Sequence, residues 1–206
     1  MSPASERAAV LEEGRPPVAR VRAGAVPPLA EAFATRGNSA PQVDAVLVPG
    51  AAVALVPESA QAGGAGGWTG TCGKTQMAAW LAESAWHSGG VEVLAWVAAE
   101  SRSSVLSGYA EAAARLGLGQ SGDGEAAAAR FAAWLGSTPR PWLVVLDGLR
   151  DPADVQGLWP AGAAGRLIVT TAQPENAGGT ALVLPGWLPG APGGRLVPVR
   201  PPVSRP

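Results

Sequence analysis

The chain is poor in the side chains that carry most thiol, imidazole and ammonium chemistry. Its 206 residues include one cysteine, Cys72, and one histidine, His87. A single cysteine excludes an intrachain disulfide and any zinc site built from several thiolates, a usage that suits a reducing, cytoplasmic compartment. Of the 15 basic residues 14 are arginine, and Lys74 is the only lysine. A net charge of −1 gives no bulk attraction for nucleic acid or an anionic membrane. Long apolar runs are absent too. Residues 45–56 are interrupted by Pro49 and Gly50 and fall short of the roughly 20 residues a bilayer span needs. The first residues carry Glu6, Glu12 and Glu13 among arginines, without the basic start and apolar stretch of a secretory signal. The expectation is a cytoplasmic protein with no membrane or nucleic-acid partner.

Proline is missing from residues 58–138, whereas 8 of the last 33 residues are proline. Regular structure is therefore expected in the middle of the chain, which is long enough for one domain with a sizeable core. Residues 1–42 read as an irregular arm with a short helix near 27–33. Residues 43–173 read as the folded domain, and residues 174–206 as a Pro/Gly-rich tail in which only 195–199 hints at an edge strand.

Within the domain, apolar runs alternate with amphipathic ones. Residues 43–48 and 51–56 read as a strand or strand pair. Residues 91–97, 142–147 and 166–171 read as buried strands, and residues 74–87, 101–118 and 125–135 as helices. Asp151-Pro152 has the look of a capped helix start. This alternation implies an α/β fold of three layers around a mostly parallel sheet with right-handed crossovers, its ligands at the carboxyl ends of the strands.

One stretch concentrates the chemistry. Gly66-Gly67-Trp68-Thr69-Gly70-Thr71-Cys72-Gly73-Lys74-Thr75 follows an apolar strand and opens a helix. Such a glycine-rich turn points backbone N–H groups at a polyphosphate. The lysine reaches the terminal phosphates and the threonine hydroxyl takes Mg²⁺. That the only lysine stands here adds weight. The fit to the general pattern is not perfect, since Trp68 stands where its first glycine would. Gly70, Thr71, Cys72, Gly73, Lys74, Thr75 and Gln76 are the candidate nucleotide contacts. Asp147 ends an apolar strand and is the candidate Mg²⁺ carboxylate beside Thr75. Thr171 could donate to the γ-phosphate. Glu100 and Asp151 are the nearest substitutes for a water-positioning acid, and Arg102 or Arg150 for a charge-neutralising cation, although loop charges of this kind are commonly just solvated. Cys72 reads as a small loop residue, and His87 as a dipole partner near a helix end.

Four ordered blocks resemble the NB-ARC-like STAND ATPases: Gly70 to Ala78, Val93 to Val97, Trp142 to Asp147, and Arg166 to Thr171. This family occurs in bacterial regulators that often carry tetratricopeptide repeats. The resemblance covers about residues 43–173. It implies a P-loop NTPase domain holding ATP or ADP with Mg²⁺ as a regulatory switch with a protein partner. Lys74 and Thr75 match the family's phosphate and Mg²⁺ residues, and Asp147 matches its first acidic residue, which makes Lys74 and Asp147 the catalytic candidates. The chain departs from the pattern at Gly148, where a second acid is common, and at Ala172, where an arginine senses the γ-phosphate. Gly24 is followed by Ala25 where an arginine often lies near adenine. No closing helical subdomain or repeat follows Gln173, so the chain resembles a truncated or minimal member. The expected function is an Mg-ATP/ADP-binding regulatory module with slow or absent hydrolysis. The alternatives are an active NTPase or phosphotransferase using Glu100 or Asp151, and a non-binding remnant kept for protein contacts.

Overall fold

A computed structural model describes residues 19–30, 47–57, 73–119 and 123–173, together with the backbone of 179–184 and 195–199. Its elements, in order, are β1 (Val21–Ala23), β2 (Ala52–Pro57), α1 (Lys74–His87), β3 (Val93–Ala98), α2 (Arg102–Arg115), α3 (Gly124–Ser137), β4 (Trp142–Leu149), a 3₁₀ turn (Pro152–Val155), β5 (Gly165–Thr171), β6 (Gly179–Leu184) and β7 (Arg195–Val199). The strands form one seven-stranded sheet in the order β1-β3-β4-β5-β2-β6-β7. Every neighbouring pair is parallel except β6 with β7, so the sheet is mostly parallel as expected.

The order dictates where the helices lie. From β2 the chain crosses two strand positions to reach β3, then returns toward β2 through β4 and β5. Right-handed crossovers in opposite directions put their helices on opposite faces. Accordingly α1 covers one face, with Met77, Ala78 and Leu81 against Val53, Leu55, Leu94, Leu143, Val145 and Ile168. The other face carries α2 and α3, with Val105, Tyr109, Phe131 and Leu135 against Ala54, Val56, Val93, Val97, Val144 and Val169. Two apolar cores thus sandwich a sheet that is buried on both sides, which accounts for the near-continuous apolar strands.

Caps fix the helix starts. Ser101 Oγ accepts the Ser104 N–H at 3.3 Å, Asp123 Oδ1 accepts the Glu125 N–H at 3.0 Å, and Asp151 Oδ1 accepts the Ala153 N–H at 2.8 Å ahead of the 3₁₀ turn. Each satisfies a first-turn donor that has no partner inside its helix.

Four expectations need correction. The arm contains a strand, because Val21-Arg22-Ala23 pairs with Val93–Ala95. The tail contains β6, parallel to β2, in addition to the strand expected at 195–199, which is β7 folded back on β6. Both additions depend on partners distant in sequence, and β1 is too short to show a period of its own. Residues 47 and 48 are not strand, a turn following at 49–50, and 27–30 are not helical. The remainder of each of those two expected segments lies outside the described residues.

Candidate functional site

The carboxyl rim of the sheet collects the candidate residues because of strand alternation. Leu143 and Val145 of β4 face α1, while Trp142, Val144 and Leu146 face α2 and α3. Successive side chains point to opposite faces, so Asp147 falls on the α1 face, where α1 begins. On β5, Ile168 faces α1 and Leu167 and Val169 face away. Thr170 therefore joins Asp147 on the α1 side, and Thr171 points to the other.

A hydrogen-bond network follows. Thr75, in the first turn of α1, donates from Oγ1 to Asp147 Oδ1 at 2.8 Å. Thr170 donates from Oγ1 to the same Oδ1 at 2.6 Å, and itself accepts the Gly148 N–H at 2.7 Å. Asp147 is half-buried, and Thr170 is only 1% exposed. One carboxylate oxygen thus gathers two hydroxyls from two elements.

A bulge holds the carboxylate there. Leu146 pairs with Val169 and Leu149 with Thr171, so β4 spends one more residue than β5 over the same stretch. Gly148 sits in that irregularity at φ +81°, in the left-handed region that favours glycine. The extra residue reverses the alternation, which is why Leu149 returns to the α2–α3 face. The position where the resembled family commonly has a second acid is here a conformation that side chains resist.

Helix α1 starts differently from its neighbours. Its cap position is Gly73 at φ +73°, without a side-chain cap and without an acid in the first turn. The first helical bond runs from the Met77 N–H to the Gly73 carbonyl at 2.8 Å. The positive end of the α1 dipole therefore faces the rim beside Asp147, with Lys74 as its first residue.

Other candidates are placed elsewhere. Gln76 uses its side-chain amide on the arm, accepting the Ala30 N–H at 2.7 Å and donating to the Pro28 carbonyl at 3.2 Å. Thr171 Oγ1 accepts the Gln173 N–H at 3.1 Å within its own turn. Asp151 is the 3₁₀ cap described above. Arg102 is committed to Glu125 at 2.9 Å and to the Gln156 carbonyl at 3.1 Å. Glu100 is exposed, with its Cγ 3.4 Å from where a Cβ on Gly148 would stand. The His87 ring nitrogen lies 2.7 Å from the Glu83 carbonyl at the end of α1. Gly70, Thr71 and Cys72 lie outside the described residues. Thr170 is the member that sequence reasoning missed, and counting alternation back from the apolar residues of β5 would have found it.

Among the described residues no group of three or more His, Cys, Asp or Glu could hold a metal. A single carboxylate beside a threonine hydroxyl suits a hard cation that keeps its waters and shares phosphate oxygens, as Mg²⁺ does, rather than zinc or an all-protein calcium cage. At the opposite rim a cavity of about 310 Å³ is lined by Trp142, Trp159, Pro160, Leu167 and several alanines and glycines, with no charged or hydroxyl side chain.

No protein-family model matches the chain, and no curated protein matches it in sequence. Among the described residues no helix is long and apolar enough to cross a membrane.

Proposed function

We propose that the chain binds Mg-ATP or Mg-ADP at the carboxyl rim and works as a regulatory module with slow or absent hydrolysis, as a P-loop domain resembling the NB-ARC-like STAND ATPases. The observation that carries this reading is the 2.8 Å contact between Thr75 and Asp147, the two residues assigned to Mg²⁺ on sequence pattern. An uncapped helix start and the chain's only lysine at the same point support it, since such a terminus favours an anion. Thr75 and Asp147 would hold the ion, which when bound would neutralise phosphate charge. Lys74 and the first-turn N–H groups would bind the phosphates. Thr170 would keep the Asp147 carboxylate oriented through its hydrogen bond to Oδ1.

Slow turnover rests on the described residues of the rim. Gly148 cannot act as an acid, Ala172 carries no charge, and Asp151 and Arg102 have structural partners. Glu100, beside Gly148, is the residue through which a second reading, an active NTPase, would run.

Thermal unfolding with and without saturating Mg-ATP, Mg-ADP and Mg-GTP tests the proposal. A ligand at 100 times its Kd adds about 2.7 kcal/mol to stability and must raise Tm. Unchanged Tm with every nucleotide would refute binding and favour the protein-contact remnant. Turnover abolished by Glu100→Gln would favour the second reading.

A further inference from the structure

The segment that contains β1 is laced along α1 from one end of the helix to the other. Arg20 lies over the Trp86 ring at 3.8 Å and donates to the Val91 carbonyl at 3.2 Å and to the Trp86 carbonyl. Arg22 grips Glu83 with two N–H groups, one of them 3.2 Å from Oε2. Val26 packs on the α1 core, as Trp80 and Trp86 do. At the far end Gln76 binds Pro28 and Ala30. As the segment advances from 20 to 30, its contacts on α1 retreat from 86 to 76. Residues 19–30 form a strap running against the helix.

The Gln76 end differs from the others in two ways. Pro28 and Ala30 offer backbone groups with no sheet or helix to satisfy them, and a glutamine amide supplies an acceptor and a donor together. Gln76 is also the third residue of α1 and follows Thr75, whose hydroxyl is on Asp147. Its own N–H is among the first-turn donors that lack an intrahelical partner. One residue therefore carries the strap on its side chain and faces the candidate anion site with its main chain.

We propose that Gln76 is a positioning residue that couples attachment of the strap to occupancy of the α1 N-terminus. This deepens the nucleotide reading above and rests on it. A phosphate bound by the first turn fixes the backbone from which the amide extends, so the strap is held more tightly. By linkage, a released strap weakens the phosphate site by the same factor. The anchors at Arg20 and Arg22 lie far from that turn and hold the base of the strap in either state. The regulatory output is thus the freedom of residues 26–30.

Hydrogen exchange on the full chain, with and without saturating Mg-ATP, reads this directly when paired with calorimetry. In the wild type, nucleotide should slow exchange at Ala30 by about 5-fold or more, the low end of ordinary couplings, and leave the α2 amides unchanged. Gln76→Met keeps the stem and removes both hydrogen bonds. It should speed exchange at Ala30 in the free protein, abolish the nucleotide effect there, and weaken Mg-ATP by that same factor. Ala30→Pro deletes the donated N–H without touching α1, and the same loss of affinity should follow. Nucleotide binding without any change at Ala30 would overturn the coupling and leave the binding site standing. Absence of nucleotide binding would overturn both. Full affinity in both variants would also overturn the coupling.

Discussion

The Thr75 hydroxyl and Asp147 Oδ1 meet at 2.8 Å across 72 positions of sequence, joining the first turn of α1 to the end of β4. Strand order makes the meeting possible. β5 lies between β2 and β4, so the helix leaving β2 crosses over the end of β5 and arrives above β4. Thr170, on the intervening strand, supplies the second hydroxyl to the same oxygen.

The two roles of Asp147 can be separated by substitution. Asp147→Asn keeps a carbonyl oxygen to accept from Thr75 and Thr170, so urea unfolding should change by less than about 1 kcal/mol while the Mg²⁺ dependence of ATP binding disappears in calorimetry. Asp147→Ala strands both hydroxyls and should cost about 1–3 kcal/mol of stability as well.

Lys74→Ala should weaken Mg-ATP by about 1.5–3 kcal/mol, the range for a hydrogen bond to a charged group. Isothermal calorimetry decides it, and equal affinities would remove Lys74 from the site.

Supplying the second acid should not create a faster enzyme. Gly148→Asp forces a side chain into a backbone at φ +81° and sets a carboxylate beside Glu100. A loss of about 1–2 kcal/mol in urea unfolding is expected from the backbone alone. Phosphate release should not rise above that of the wild type. A stable variant with increased turnover would show that the bulge relaxes readily.

Much of the scaffold was legible because apolar runs and caps are local. Trp142 to Asp147 and Arg166 to Thr171 announce buried strands, and Asp151 marks the start it caps, whereas the caps at Ser101 and Asp123 emerge only from the structure. What escaped depends on partners distant in sequence. Val21-Arg22-Ala23 is a strand only because β3 is beside it, and Gly179–Leu184 only because β2 is. At the candidate site, Thr75 and Asp147 stood out by residue type and context, and the structure brings these two into contact. Thr170 was hidden behind Thr171, because side-chain direction depends on register and not on composition.

Tyr109 makes stability sensitive to alkali. Burial pushes its hydroxyl far above the ordinary 10.0, and the O–H donates to the Leu158 carbonyl at 3.0 Å. Above pH ~10 the unfolded tyrosine loses its proton while the folded one keeps it. The native state then binds more protons, and stability falls by about 1.4 kcal/mol per pH unit. Below pH ~10 both forms are neutral and this group adds no slope. Tyr109→Phe should remove that alkaline slope in urea titrations, at a cost of about 1–3 kcal/mol at neutral pH for the stranded carbonyl. Tyr109 is the only tyrosine in the chain, so no other phenol obscures the readout.

The reversed direction of β7 has a practical consequence. Val199 pairs with Gly179, the first residue of β6, so the backbone leaves the sheet on the side away from Asp147. A fluorophore or purification handle appended downstream of that strand would start from the far end of the molecule, leaving the approach to Lys74 clear for titration.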